Sequence, residues 1–185
     1  MAIKTSTPIV CVTYEDFGHT FCAIVFSDRA AWVYDIATGE WHERAERAGL
    51  FPWTVTTTAK SGGVWYAGRG RRILRFANVP QDDEWPLVRE ITSRTLTGDG
   101  RMFTADLLEM FPRQGFNMQA LELEVSRDGG LTWTEPKPRQ IGPVGAYGQR
   151  VTWRGLGRSR QFNARLRASE GDDFTINADC LVTLR

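Results

Sequence analysis

At 185 residues the chain is long enough to bury a core of one or two domains. Its net charge of +1, with 42% hydrophobic and 24% charged residues, excludes a global field that would draw the molecule to nucleic acid or an anionic membrane, and fits an ordinary globular protein. Eighteen glycines and seven tryptophans point to many short strands joined by tight turns, with aromatic side chains packing the sheets.

In chain order, Met1 to Pro8 holds one lysine and no apolar run, so no signal peptide is expected, and no stretch is long enough to span a bilayer. Synthesis in the cytoplasm is the expectation, with any other location reached by assembly. Strands are predicted at Ile9 to Thr13 and at Phe21 to Phe26, whose unbroken apolar run suits a strand buried on both faces. After a Ser27-Asp28-Arg29 turn come Ala31 to Asp35, then Ala37-Thr38-Gly39 and Trp41 to Arg44, with Gly39 supplying the positive φ of a hairpin. Trp53 to Thr58, Val64 to Ala67 and Arg72 to Phe76 follow, separated by turns at Ser61-Gly62-Gly63 and Gly68-Arg69-Gly70. A strand every eight to ten residues is the rhythm of sandwiches and propellers, not of βαβ units. Asn78, Pro80 and the acidic run Gln81 to Glu84 mark a linker, so residues 1–78 read as a propeller-like part, 79–86 as linker and 87–185 as a second β domain.

In that second part Leu87 to Leu96 reads as one extended strand. Met102 to Phe111 fits both helix and strand, because Phe103, Leu107, Leu108 and Phe111 also match helical spacing; its neighbours favour strand. Strict alternation in Leu121 to Val125, in Phe162 to Ala168 and from Phe174 to Leu184 predicts antiparallel strands with one buried and one wet face. The fold class is therefore all-β, a partial propeller or sandwich followed by a β-sandwich-like domain.

The candidates for chemistry are few. Cys11, Cys22 and Cys180 are odd in number, far apart and flanked by apolar residues, which reads as buried free thiols with no disulfide framework. His19 and His42 have no second ligand or nucleophile at a meaningful spacing. Gly68-Arg69-Gly70 and Gly155-Leu156-Gly157 are too short for phosphate loops and open no helix. No catalytic constellation, metal set or cofactor site emerges, so a non-enzyme is expected.

Two features stand out. Ser126-Arg-Asp-Gly-Gly-Leu-Thr-Trp133 fits the Asp-box pattern through Ser126, Asp128, Gly130, Thr132 and Trp133. Its physics is that of a hairpin turn: the Asp128 carboxylate accepts local N–H bonds, Gly130 takes angles closed to other residues, and Trp133 packs beneath. A single copy reads as a structural hairpin. The second feature is a run of six arginines, Arg150, Arg154, Arg158, Arg160, Arg165 and Arg167, with no acid among them. Arg165 and Arg167 fall on the polar side of an alternating strand. Arg150, Arg154, Arg158 and Arg160 are expected to face a partner subunit or DNA, Arg158 and Arg160 most of all because they fall in what reads as a Gly-rich turn, Gly155 to Arg160.

That region resembles a known family. Ser126 to Trp133, Ile141-Gly142, Gly145-Ala-Tyr147, Arg150-Val-Thr-Trp-Arg154 and Leu156-Gly-Arg-Ser-Arg160 match, in order and spacing, the C-terminal part of the packaged-DNA stabilisation proteins of short-tailed bacteriophages. Ala31 to Arg44, with Val64 to Gly68 after it, resembles the end of their propeller. The resemblance implies a tail hub, stopper or nozzle-type ring of identical subunits, in contact with other tail and portal-adaptor proteins and with packaged DNA. It implies a place in the virion tail after synthesis in the host cytoplasm, and neither a cofactor nor a membrane. Two departures are visible: residues 1–78 hold at most two blades of strands, and Ala168 to Asp172 replaces the family's usual segment after the closing strand. Two blades cannot close a circle, so their sheet edges must be covered or paired, either by rearrangement into a sandwich with the C-terminal domain or by another polypeptide. The alternative is a carbohydrate- or receptor-binding β domain, which would need an exposed aromatic platform.

Overall fold

The computed structural model describes residues 8–47, 49, 51–77, 79, 81–112, 120–169 and 176–184, with the backbone alone for 176–180. Among them every regular element is a strand, which makes the chain all-β as expected. Two compact units divide it, Met1–Leu87 and Val88–Arg185.

In the first unit β1 (Ile9–Asp16), β2 (His19–Phe26), β3 (Ala31–Asp35), β4 (Trp41–Glu46) and β5 (Phe51–Pro52) form an antiparallel sheet in chain order. A second meander holds β6 (Thr57–Ser61), β7 (Val64–Arg69) and β8 (Arg72–Arg75). Gly62 and Gly63, at φ 56° and 79°, make the two-residue turn between β6 and β7 with the twist a hairpin needs. Val12, Tyr14, Ala23, Val25, Ala31 and Val33 supply alternating inward side chains to a core that also takes Trp53, Val55 and Ala67. The predicted strand Trp53 to Thr58 starts only at Thr57. Trp53 and Val55 are buried in the core, and Glu46 accepts the Thr54 N–H at 3.0 Å and its hydroxyl at 2.8 Å, replacing a ladder bond with a side-chain bond.

The run Phe21 to Phe26 is covered on one face only: Ala23 and Val25 are buried, while Cys22, Ile24 and Phe26 are half-buried on the other side. The same parity corrects the expectation of buried thiols, since Cys11 is exposed and Cys22 half-buried. The Cys180 side chain lies outside the described residues. Residues 79–86, read as linker, carry a small hairpin of β9 (Gln81–Asp82) and β10 (Trp85–Pro86). Arg72 holds Asp83 with two bonds of 2.6 and 2.9 Å.

The second unit is a β-sandwich. One sheet contains β11 (Arg89–Thr92), β12 (Leu96–Thr97), β14 (Ala120–Ser126), β15 (Lys137–Gln140) and β17 (Gln161–Ala168), in the order β11-β17-β14-β15 with β12 also on β17. The other contains β13 (Phe103–Pro112), β16 (Val151–Ser159) and β18 (Ile176–Leu184), in the order β16-β13-β18. Leu121, Leu123, Val125, Phe162 and Leu166 from the first sheet meet Leu108, Met110, Trp153 and Leu156 from the second in one core.

Two local expectations change here, and a third, the strand favoured over Met102 to Phe111, holds with a bulge added. The strand predicted over Leu87 to Leu96 breaks at 93–95, where Asn163 Nδ2 donates to the Ser93 carbonyl (3.2 Å) and to Thr95 Oγ1 (2.9 Å), and Ser93 Oγ accepts the Ala164 N–H (2.9 Å). The segment ambiguous between helix and strand is β13, with a bulge at Asp106: Ala105 and Leu107 pair with adjacent β18 residues, Leu184 and Thr183. Gly155 to Ser159 is strand, not turn. Gly155 and Gly157, at φ 65° and 104°, let β16 bulge around the buried Leu156, so that Arg154 to Gly157 spans Leu107 to Ala105. Arg160 alone then carries the chain from one sheet to the other.

Trp153 ties the two layers together: fully buried, it donates from Nε1 to the Lys137 carbonyl on the opposite sheet at 2.8 Å. Trp153→Phe keeps most of the burial but orphans that carbonyl, and the expected loss is about 1–3 kcal/mol of unfolding free energy by denaturant titration.

Candidate functional site

The end of β14 runs into Ser126 to Trp133, and the hairpin organises itself around one carboxylate. Asp128 Oδ1 accepts the N–H groups of Leu131 (3.0 Å) and Thr132 (2.9 Å) and the Ser126 hydroxyl (2.7 Å), while Oδ2 accepts the Thr132 hydroxyl (2.5 Å). Ser126 Oγ in turn accepts the Gly130 N–H at 2.8 Å. Gly129 and Gly130 take φ of 77° and 95°, and a Cβ at Gly130 would stand 3.9 Å from Trp133. The Thr132 hydroxyl, then its N–H, the Ser126 hydroxyl and the Leu131 N–H hold the Asp128 carboxyl well below the usual carboxylate range.

Two neighbours fasten this hairpin to the sandwich. Arg165 lies 4.2 Å above the Trp133 ring and pairs with Glu124 at 2.8 Å. Arg127 donates to the Leu156 carbonyl at 3.3 Å, and its guanidinium occupies the space a Cβ on Gly157 would need, at 2.6 Å. The bulged glycine of β16 is therefore also the seat of the hairpin's flanking arginine.

The six arginines of the run fall into different environments. Arg165 and Arg167 lie half-buried on the outer face of the β11-β17-β14-β15 sheet. Arg167 stands 2.9 Å from Glu90 and 3.8 Å from Glu124, without the alignment of a hydrogen bond at its Nε. Arg150 pairs with Glu109 at 3.2 Å, and Arg160 donates to the Gly100 carbonyl at 2.5 Å. Arg154 and Arg158 are exposed on β16, opposite Leu107 and Thr104, and have no ion pair or hydrogen bond among the described residues. The acids that neutralise their neighbours come from strands far away in sequence, and only the cross-strand register could have revealed them.

Elsewhere, His19 Nδ1 meets Asp35 at 2.7 Å, and both His19 and His42 pack on the Phe21 ring. Among the described residues no group of three His, Cys, Asp or Glu is placed to hold a metal ion, and no helix is long and apolar enough to cross a membrane. A cleft of about 430 Å³ lies in the first unit, bordered by Glu15, Asp16, Phe17, Lys60, Trp65 and Phe76; no motif marks it, only the aromatic content of its strands.

Asp128→Ala is expected to lower the thermal midpoint of the second unit at neutral pH. Because the folded carboxyl titrates below its unfolded value of about 3.9, its contribution is full above that pH and fades as pH falls through the folded value. Calorimetry should therefore show the wild-type and variant midpoints converging in strong acid.

Three comparisons bear on this arrangement. A family model described as bacteriophage P22 Gp10, β-sandwich, matches residues 88–182, just over half of the chain. No curated protein matches it. Among solved structures, a glycoside hydrolase is similar at 9% identity and a TM-score of 0.27, over 95% of this chain and 60% of that one. An exo-β-1,3-galactanase from Phanerochaete chrysosporium is similar at 8% and 0.27, over 96% and 57%. The chain thus spans less than two thirds of those proteins, and at such TM-scores they carry no weight for fold or activity. By its match across the sandwich that holds the hairpin and the arginines, the chain belongs to the family of the bacteriophage P22 Gp10 β-sandwich, tail proteins of a short-tailed phage.

Proposed function

We propose that this protein is a structural component of a phage tail, a hub or stopper ring of identical copies beneath the portal, which joins portal-proximal parts and helps retain and conduct packaged DNA. The role asks for geometry and charge rather than a reaction. Family membership supports the tail assignment. The observation that carries the contact with DNA is the pair Arg154 and Arg158. Each other arginine of the run has an acid or a carbonyl within its own unit, whereas these two face solvent from one strand. A guanidinium without an internal acid keeps its planar fork free for phosphate.

Two phosphate contacts per copy release condensed counterions, so affinity for a short DNA duplex should fall about tenfold between roughly 50 and 200 mM salt. Arg154→Glu with Arg158→Glu should flatten that dependence and leave the circular-dichroism spectrum unchanged. In particles assembled with this variant, DNA should leak after packaging. Full retention of DNA, with wild-type salt dependence, would sink the proposed contact.

A second reading, saccharide binding, is favoured by the cleft of the first unit. Phe17 is 74% exposed at its mouth and takes φ 47°, a left-handed conformation that costs a non-glycine residue about 1–2 kcal/mol. Such a turn would be more stable with asparagine or glycine, so an aromatic held in water there suits stacking on a sugar ring, with Asp16 and Glu15 as hydroxyl acceptors. Maltotriose titration followed by tryptophan fluorescence tests this reading. It predicts a saturable change that Phe17→Ala abolishes, and a flat titration rules the reading out.

A further inference from the structure

β16 is an edge of its sheet, whose strand order is β16-β13-β18. On its outer face Arg154 stands opposite Leu107 and Arg158 opposite Thr104. Arg150 precedes Val151, the residue opposite Met110, and belongs to the same row at the other end of the strand. Its partner Glu109 lies between the buried Leu108 and Met110 on β13, so the carboxylate emerges on that outer face. At about 3.3 Å per residue, the row from Arg150 to Arg158 runs for roughly 20 Å. A straight line of cations suits a linear polyanion, and duplex DNA carries one charge per ~1.7 Å of its axis.

Arg150 differs from the other two in having an acid of its own. Its Nη1 donates to Glu109 Oε2 at 3.2 Å, a single bond rather than the two-bond fork by which Arg72 holds Asp83. The Glu109 side chain is 14% exposed and that of Arg150 61%. The pair of Arg165 with Glu124 is of another kind: both side chains are largely out of water, and the guanidinium also stacks on Trp133. Neither of those charges can leave without stranding the other. The Arg150 guanidinium can leave Glu109 at little cost, because an ion pair with so exposed a member contributes little to stability. What Glu109 changes is charge. A phosphate that approaches Arg150 meets the carboxylate as well, and the attraction and repulsion nearly cancel.

We propose that Glu109 is an internal competitor for DNA phosphate: it occupies the Arg150 end of the β16 row and limits each copy to the contacts of Arg154 and Arg158. The inference rests on the DNA contact proposed above and adds its regulation. A conduit must let DNA move. Two net contacts per copy allow a duplex to slide, whereas a further contact on every copy would multiply along the DNA and hold it fast.

Fluorescence anisotropy of a short labelled DNA duplex, titrated with the full chain between roughly 50 and 200 mM salt, tests this. Glu109→Gln keeps the shape of the side chain and frees Arg150. It should bind more tightly, and its affinity should fall about fortyfold across that range against about tenfold for the unaltered chain, the difference of one phosphate. Arg150→Gln alone should bind as the unaltered chain does, and Glu109→Gln with Arg150→Gln should return to the unaltered values. Circular dichroism should be the same for all of them. Unchanged salt dependence in folded Glu109→Gln overturns the proposal, while a flattened dependence in Arg154→Glu with Arg158→Glu would keep the DNA contact itself. A flatter dependence in Arg150→Gln alone also overturns it, since Arg150 would then already be on phosphate. So does tightening that persists without Arg150, which would reflect net charge only, or tightening toward poly-glutamate with none toward DNA, which would make the partner an acidic protein. No DNA binding by the unaltered chain or by Glu109→Gln overturns the inference and the DNA contact together.

Discussion

The second unit depends on one buried carboxylate. Glu124 is 6% exposed on the outer face of β14, and a carboxylate so placed must be met by a cation with good geometry or the strand is destabilised. Arg165, directly opposite on β17, supplies it, and the same guanidinium then offers its flat face to Trp133. That stack fixes the far leg of the Ser126 to Trp133 hairpin. The near leg sends Arg127 across to the bulged Gly157 of β16. The ion pair with its stack holds the hairpin on one sheet and Arg127 holds it on the other, at the corner where Arg160 changes layer.

From that corner the placement of Arg154 and Arg158 follows. The bulge at Gly155 and Leu156 turns Leu156 inward without reversing the strand, and Arg154 and Arg158, four residues apart, keep the same wet face on either side of it. Had Gly155 to Arg160 been the turn that its glycines suggest, these side chains would have spread around a loop instead of standing on a sheet. A rigid strand presents charge with less loss of conformational freedom on binding than a loop does.

What the sequence revealed and what it hid separate along one physical line. Wherever the strand period is unbroken, as in Leu121 to Val125 and Phe162 to Ala168, alternation alone identifies strand, buried face and wet face. Where a bulge or a side-chain bond interrupts the ladder, local pattern misleads. The extra residue Asp106 moves the inward positions of β13 from Phe103 and Ala105 to Leu108 and Met110, and the helical spacing of Phe103, Leu107, Leu108 and Phe111 mixes these with the half-buried Leu107 and the exposed Phe111. Asn163 breaks the expected long strand before Leu96 from 68 to 70 residues away in sequence. The arginine run is misleading for the same reason, because Glu90, Glu109 and Glu124 reach it only through pairing between distant strands.

The first unit shows the opposite case, in which the strand period is unbroken but the composition of β2 does not match its one-sided burial. Its inner face is closed by Arg44, whose guanidinium lies 4.9 to 5.6 Å from the rings of Tyr14, Trp53 and Phe76 and donates to the Tyr14 hydroxyl at 2.9 Å. A cation so enclosed loses water, and the three ring faces and the phenol oxygen compensate it. Among the described residues nothing comparable closes the outer face, although Phe21 to Phe26 is apolar at every position. Alternation with polar residues would have served a sheet meant to meet water on one side. An unbroken run suits a strand with both faces dry, whereas β2 buries Ala23 and Val25 on one face and leaves Cys22, Ile24 and Phe26 half-buried on the other.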